Sequence, residues 1–544
     1  MRRDVALALV TLLALTLCPR RGEAWGFSLW DRDFTLDVTN TFEYTYHFEN
    51  GDTDPNNDEF YQFLNLLDVS LSHGEFRLGT RLDLNLFAGA GDLGPVDTGI
   101  RYEQDFRPQK LYFIWARDAF DLTLGDFYAS FGKGLALNVI KVDELGQDTT
   151  VRGGKFQLHQ GDLTLTFAGG QFNPLAVDTS TGYEPAWNSE SVVGGRVEYS
   201  LLETVIAGAH AVYVMQRNHL DEKPGLEAYH DWSAIWGMGA EVPDVLDGML
   251  SFAGEVNVQT TSLQGRMVRG HGHDEGGTSG VGAYASSTAQ LGDLTLLGEF
   301  KYYDDFSLKY EGSDDSTPYT LMYHQPPTLD RMRATIKNNT HVSGLRLRAD
   351  YYFGQVGFLD AIIAYVNYGY FRGWDAVSED VHVPFGGVEL QWMEGVGQLQ
   401  LEAGLRRVEL AQDPDKGKLQ RQDIHLEASL EQAIVARHSV TLSFTFLDRQ
   451  EELLGLEKWK EIELAVSYKW SPYFDVALFY ERQEDPKFGD PQDFFGGSAR
   501  YFITPSTYVS VLAGENKPGI KCINGVCRDV PAFSGVRVTA VGRF

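Results

Sequence analysis

Apolar and polar residues alternate at period two along much of this chain. Leu78, Leu82 and Leu84 share one face of an extended strand, whereas Arg81 and Asp83 lie on the other. No long stretch shows the period of 3.6 residues that an amphipathic helix requires. The pattern therefore predicts an all-β protein, and the same alternation occurs in 34–48, 423–430, 440–446 and 462–470.

The length of the predicted strands favours a membrane barrel over a soluble β-sandwich. Sandwich strands also alternate, but they usually run about five to six residues. The strands predicted here run about ten residues or more, which is the length that a tilted strand needs to cross a bilayer. Their polar faces also carry too many charges to form a second core.

The connections between the predicted strands alternate in length. Short turns are predicted at 73–75, 117–119, 160–162, 201–203, 291–293 and 471–473. Long polar loops are predicted at 49–59, 89–106, 173–189, 217–229, 260–279, 306–337 and 483–492. Short periplasmic turns and long outer loops are typical of a transmembrane antiparallel up-and-down barrel.

Counting strands between these connections gives about 24. The accepted range is 22 to 26 strands, because strand boundaries read from sequence are accurate only to several residues. An even number places both termini in the periplasm. Few residues precede the first strand predicted near Phe34. We therefore expect residues 25–544 to form the barrel, with no plug domain.

Both chain ends carry signals of export. Residues 1–24 have a basic start, an apolar run and a small-x-small ending, which predicts a secretory signal peptide. Cys18 follows Leu17, where a lipoprotein signal would have a small residue, so we expect Cys18 to be removed. The last strand ends on Phe544, an aromatic terminal residue that resembles the signal read by the barrel assembly machinery. These features predict the bacterial outer membrane.

The charge balance limits the partners. The 544 residues include 76 acidic and 46 basic side chains, a formal net charge of −30. Such a surface disfavours nucleic acid. Outer-membrane lipid and lipopolysaccharide are the expected surroundings. Acidic loops either keep the outer surface soluble or bind divalent cations, but the run at 52–59 lacks the spacing of an EF-hand.

Two cysteines close to the carboxyl end favour a disulfide. Cys522 and Cys527 flank a turn-forming spacer in a predicted outer loop. An oxidising compartment favours a disulfide between them. A C-x4-C metal pair is the alternative, although no nearby histidine or cysteine completes it. We expect neither a bound metal nor a cofactor.

Residues 125–155 interrupt the hairpin pattern. They are rich in glycine and in charges of both signs, yet Leu135, Leu137 and Val139 are too apolar for an exposed outer loop. We expect this segment to fold into the lumen and narrow it, although an ordinary pair of strands with an unusual turn is the alternative. The predicted pore-lining residues are Arg77, Arg81, Asp83, Asn85, Lys133, Lys141, Asp143, Glu144, Asp148 and Arg152.

This segment resembles an uncharacterised family of bacterial outer-membrane barrels. Members carry GDFYxxFGxGLAL followed by VDELGxDTTxRGG, and the match covers residues 125–154. A weaker similarity lies at 323–331, which reads Y-H-Q-P-P-T-L-D-R. The resemblance implies the fold and the compartment, and it implies no substrate.

The sequence predicts a passive, porin-like channel for small polar solutes. The alternative is a non-conducting surface adhesin or a component of envelope or polysaccharide assembly. An outer-membrane enzyme ranks third, because no G-x-S-x-G motif occurs at a strand-to-helix turn, and we expect no enzymatic activity. His271 and His273 belong to a Gly-rich loop rather than to a recognisable metal motif.

Overall fold

The computed structural model describes most of the chain. The described residues are 24–48, 60–88, 104–142, 147–173, 191–201, 204–217, 230–262, 278–306, 341–374, 378–410, 420–452, 456–485, 491–517, 519–523, 526–530 and 533–543. Residues 1–23 of the predicted signal peptide, the acidic run at 52–59, the histidine-rich loop, the 323–331 similarity and Phe544 lie outside them.

Twenty-four antiparallel strands form one closed ring. They are β2 (Arg32–His47), β3 (Tyr61–His73), β4 (Phe76–Ala88), β5 (Gln104–Arg117), β6 (Phe120–Phe127), β11 (Thr150–Gln160), β12 (Leu163–Asn173), β13 (Ser191–Leu201), β14 (Val205–Arg217), β15 (His230–Val245), β16 (Leu250–Ser262), β17 (Thr278–Leu291), β18 (Leu294–Asp304), β19 (Val342–Tyr352), β20 (Leu359–Trp374), β21 (Ser378–Trp392), β22 (Gly397–Leu410), β23 (Gln420–Val435), β24 (His438–Glu452), β25 (Leu456–Trp470), β26 (Phe474–Gln483), β27 (Gln492–Thr504), β28 (Thr507–Asn516) and β31 (Phe533–Arg543).

The ring closes between its first and last strands. β31 pairs with β28 on one side and with β2 on the other, where Thr39 lies opposite Arg543 and His47 opposite Gly535. Every other neighbour in the ring is also antiparallel. The prediction of an all-β antiparallel barrel of about 24 strands is therefore confirmed. The residues described contain no helix that could span a membrane.

One strand was not anticipated by the alternation pattern. β1 (Trp25–Leu29) pairs with the first five residues of β2, so that Trp25 lies opposite Leu36. The closing strand β31 pairs with the same edge of β2 from Thr39 onward. β1 therefore continues the line of β31 and covers an edge of β2 that the closing strand does not reach.

Among the residues that the structure describes, three small hairpins lie outside the ring. They are β7 (Ala129–Phe131) with β8 (Leu137–Val139), β9 (Lys141–Val142) with β10 (Gln147–Asp148), and β29 (Gly519–Ile523) with β30 (Val526–Val530). In the last hairpin the backbone of Cys522 lies directly opposite that of Cys527. The disulfide between them stays a prediction.

Candidate functional site

The two faces of the barrel wall differ in chemistry. On β4, Leu78 is 53% exposed, whereas Arg81 and Asp83 on the opposite face are only 7% and 4% exposed. On β16, Val256 and Val258 are exposed and alternate with buried Glu255. This inverts the arrangement of a soluble protein. On these two strands the apolar side chains form the outer face, and the polar ones form the inner face.

Charged side chains on the inner face are paired with one another. Arg346 on β19 lies 2.8 Å from Glu299 on β18. Lys517, which follows β28, contacts Glu461 at 2.9 Å and Glu463 at 2.6 Å on β25. Because these charges have partners of opposite sign, they can stay ionised on the inner wall with little exposure to water.

Residues 128–142 and 147–149, here called the inner segment, lie between β6 and β11 in sequence and cross this inner face. The β7–β8 hairpin has its base at Tyr128 and its tip at Lys133. The tip contains Gly132 and Gly134, whose φ angles of 61° and 90° favour glycine. A side chain at Gly132 would also collide with Glu255, which explains the close approach of the hairpin to β16.

The tip of the hairpin is held by two carboxylates. Lys133 Nζ lies 2.8 Å from Glu241 Oε1 on β15. The backbone amide of Lys133 donates a hydrogen bond to Glu255 on β16. Glu255 also accepts a hydrogen bond of 2.8 Å from Asn257 and lies 3.5 Å from His210. None of these strands is adjacent to β6 or β11 in the ring, so the hairpin runs along the inside of the barrel.

The base of the hairpin is held by Asp148. Its carboxylate lies 2.5 Å from both Arg81 Nη1 and Lys110 Nζ, and it accepts a hydrogen bond from Tyr128. Arg81 also makes a bidentate pair with Asp83 at 2.7 Å. Asp148 lies outside the spanning strands. Burial alone would raise its carboxyl pKa, but Lys110, Tyr128 and Arg81 together hold that pKa below its usual value.

The apolar side of the inner segment joins a cluster on the inner face. Phe131, Leu135 and Leu137 are at most 1% exposed. Gly194 on β13 leaves room for the ring of Phe131, because a side chain there would meet that ring. The cluster continues around the wall through Val192, Val212, Val214, Ile235, Tyr284, Tyr303, Val342, Phe371, Val383 and Val408.

The predicted site residues fall in different places. Arg81, Asp83 and Asn85 lie buried on the inner face, and Lys133 and Asp148 belong to the inner segment. Arg77 is exposed near the short turns and donates a hydrogen bond to Ser72. Lys141 is also exposed. Asp143 and Glu144 lie outside the described residues.

Arg152 does not line the passage. Its neighbour Val151 points into the buried cluster, and side chains alternate along a strand, so Arg152 lies on the outer face together with Phe156. Its guanidinium lies 3.1 Å from Asp126 and donates to the Gln109 carbonyl at 2.8 Å. Arg152 is therefore part of the wall.

Several residues of the site were missed from sequence. Lys110 and Tyr128 complete the contacts of Asp148, and Glu241 and Glu255 hold the hairpin tip. Glu255 could have been found as a polar residue that alternates with the apolar residues of β16. Lys110 could not have been found from the alternation, because a β-bulge near Gln109 shifts the register of β5 against β4.

The fold and the two faces define a closed β-barrel with an apolar exterior and an interior that holds both paired charges and an apolar cluster. Residues 5–223 match the model of a family of unknown function, DUF6029. No curated protein matches the chain.

Solved structures of similar architecture include the copper transporter OprC, at 10% identity and a TM-score of 0.47, over 97% of this chain and 81% of that one. The siderophore receptor PirA from Pseudomonas aeruginosa is 9% identical with a TM-score of 0.47, over 94% and 80%. OccK3 from Pseudomonas aeruginosa is 14% identical with a TM-score of 0.38, over 73% and 94%.

Proposed function

We propose that the protein is a bacterial outer-membrane channel through which small polar solutes diffuse passively. A closed ring of strands satisfies its backbone hydrogen bonds internally, as a lipid environment requires. The exposed outer face is rich in apolar side chains, including Leu78, Phe167, Val193, Trp236 and Leu478. Both features support a barrel embedded in a membrane.

The inner wall is the observation that carries the channel proposal. Its strands present charged side chains such as Arg81, Asp83, Glu299 and Arg346 beside the apolar cluster that the inner segment joins. Barrels of 16 to 18 strands already leave an aqueous lumen, so a ring of 24 strands needs inner elements to narrow its passage. The inner segment supplies such an element, with Lys133 at its tip.

The connections between strands support one orientation of the barrel. Most of the wider gaps between ring strands lie at the end opposite the short turns, and both ends of the ring lie at the short-turn end. We propose that the short turns face the periplasm. The loop end then faces lipopolysaccharide, where acidic loops would meet divalent cations, and the barrel assembly machinery reads the terminal strand. We propose no catalytic role.

A non-conducting surface protein is the second candidate. The apolar cluster on the inner face favours it, because Phe131, Leu135 and their neighbours are fully buried inside the barrel. If the cluster extended across the whole lumen, no solute would pass. The outer loops would then act by binding a partner.

Ion selectivity in planar bilayers separates the two candidates. Lys133→Glu would place a third carboxylate beside Glu241 and Glu255 and should shift the reversal potential toward cation preference at low salt, where screening acts over about 30 Å. Arg407→Glu is the matched control, because Arg407 is a half-exposed arginine on the outer face of β22. A parent protein that inserts but conducts no ions would contradict the channel proposal and favour the surface protein.

A further inference from the structure

The inner face contains a cavity of about 220 Å³ near the short-turn ends of β2, β3, β4 and β5. A row of four residues crosses these strands, each directly opposite the next: Asp37, Ser70, Gly79 and Tyr112. The two central residues of this row are small, so the row is recessed between the larger side chains of the rows on either side. The cavity occupies this recess.

The ring of Tyr112 bounds one side of the cavity. A side chain at Gly79 would collide with this ring, which shows that the ring reaches across β4 above the glycine. Ser70 on the next strand leaves the space beside the ring open. An aromatic surface of this kind can pack against the uncharged part of a small molecule.

One end of the cavity has an excess negative charge. Asp68 is exposed on the inner face, and its carboxylate makes neither a hydrogen bond nor an ion pair with any residue that the structure describes. Arg81 lies directly opposite Asp68, but it binds Asp83 and Asp148, and Lys110 binds Asp148 as well. The two cations and their two carboxylate partners balance one another, so the charge of Asp68 remains.

The other end has an excess positive charge. Arg77 lies one row closer to the short turn, and its Nε donates a 3.1 Å hydrogen bond to the neutral hydroxyl of Ser72. No carboxylate in the described part of the chain forms an ion pair with Arg77. Asp37 and Arg543, which also line the cavity, lie 4.0 Å apart and offset each other. The cavity therefore has a negative end at Asp68 and a positive end at Arg77.

We propose that this cavity binds a small zwitterion of about the size of a dipeptide, with its ammonium group at Asp68 and its carboxylate at Arg77. A guanidinium group can bind a carboxylate through two parallel hydrogen bonds. The proposal rests on the channel proposed above and names a class of solute for it.

The dimensions of the cavity fit such a ligand. Asp68 lies opposite Arg81, four residues from Arg77, so the two backbones are about 14 Å apart along the strands. Both side chains extend to the same cavity, which shortens the distance between their charges. An extended dipeptide spans about 7 Å. The volume is below the roughly 300 Å³ at which pockets for drug-sized ligands begin, which favours a small solute.

Binding of three dipeptide derivatives to the folded protein in detergent micelles tests the site without requiring conduction. Glycylglycine is a zwitterion, N-acetylglycylglycine has only the carboxylate, and glycylglycinamide has only the ammonium group. Titrations followed by saturation-transfer difference NMR give the three dissociation constants. The parent should bind glycylglycine about tenfold more tightly than either derivative, because each derivative loses one charge-assisted contact.

Substitutions at the two ends of the cavity should have opposite effects on selectivity. Asp68→Asn and Arg77→Gln should each weaken glycylglycine binding about tenfold. Asp68→Asn should remove the advantage of glycylglycine over N-acetylglycylglycine, and Arg77→Gln should remove its advantage over glycylglycinamide. Glu427→Gln on β23 and Arg500→Gln on β27 are the matched controls, because both residues are exposed on the inner face away from the cavity. Both controls should leave the three dissociation constants unchanged.

A variant that fills the cavity separates its shape from its charges. Ser70→Leu changes no charge and should weaken binding of all three peptides, whereas parental binding by this variant would contradict the cavity as the site. Heat-modifiable migration on gels establishes that each variant is folded.

The parent protein decides between the site and the channel. A folded parent without saturable glycylglycine binding would overturn the site, as would equal dissociation constants for the three peptides. Selective binding by a parent that conducts no ions would support the site while contradicting the channel. Conduction without binding would overturn the site and leave the channel proposal standing.

Discussion

Asp148 Oδ2 lies 2.5 Å from Arg81 Nη1, although 67 residues separate them in sequence. The contact joins the inner segment to β4, and Lys110 on β5 binds the second carboxylate oxygen. All three side chains are nearly buried. This ionic contact and the Lys133 contact with Glu241 hold the two ends of the β7–β8 hairpin against different parts of the inner wall.

The Asp148 cluster should contribute strongly to stability. Asp148→Asn would leave Lys110 without its carboxylate partner in a buried site, and we expect the free energy of unfolding to fall by about 3–5 kcal/mol. Urea titration of the protein in detergent micelles measures this change. Glu75→Gln is the control, because Glu75 pairs with Arg117 where both side chains are nearly half exposed, so this variant should change the free energy of unfolding little. Equal effects of the two variants would contradict the buried cluster.

The same contact predicts a pH dependence. The pKa of Asp148 is lower in the folded protein than its ordinary value of about 3.9. The stabilisation is therefore fully present above about pH 4 and is lost as the pH falls through the folded pKa. Asp148→Asn should remove this part of the acid sensitivity. The measurement is the free energy of unfolding of the parent and of the variant at neutral and acidic pH. Identical pH profiles of the two proteins would show that Asp148 does not contribute to the acid sensitivity.

Topology can be tested at positions at opposite ends of the strands. In a protein with Cys522 and Cys527 replaced by serine, Glu457→Cys lies at the loop end of β25, and Asp162→Cys lies in the short turn between β11 and β12. We expect an impermeant maleimide to label Glu457→Cys on whole cells and to label Asp162→Cys only after lysis. The reverse result would invert the proposed orientation.

The terminal residue should act in assembly. Deleting Phe544 removes the aromatic side chain from the end of the chain, directly after β31. We expect little folded protein in the outer membrane and normal export across the inner membrane. Heat-modifiable protein in isolated outer membranes measures the outcome, and parental amounts of it would show that Phe544 is not a signal.

Alternation predicts the ring because each spanning strand must separate lipid from the inner face, as Leu78 and Arg81 do on β4. It misses β1, because the β1–β2 turn uses Trp30 and Asp31 at φ angles of 53° and 60° without the usual Asn-Gly signal. The expectation that residues 125–155 fold into the lumen assigns Arg152 to the passage. The face that Arg152 occupies depends on where the chain rejoins the wall after the inner segment, and no local sequence signal marks that register.

Single-channel conductance in planar bilayers tests the central claim most directly, namely that the inner segment narrows a conducting lumen. The parent should conduct, and deletion of residues 135–146 should raise the conductance because a wider aqueous cross-section carries more ions. The deletion removes buried Leu135 and Leu137 and leaves the ring strands intact. A folded deletion protein with the conductance of the parent would contradict the claim, as would a parent that inserts without conducting.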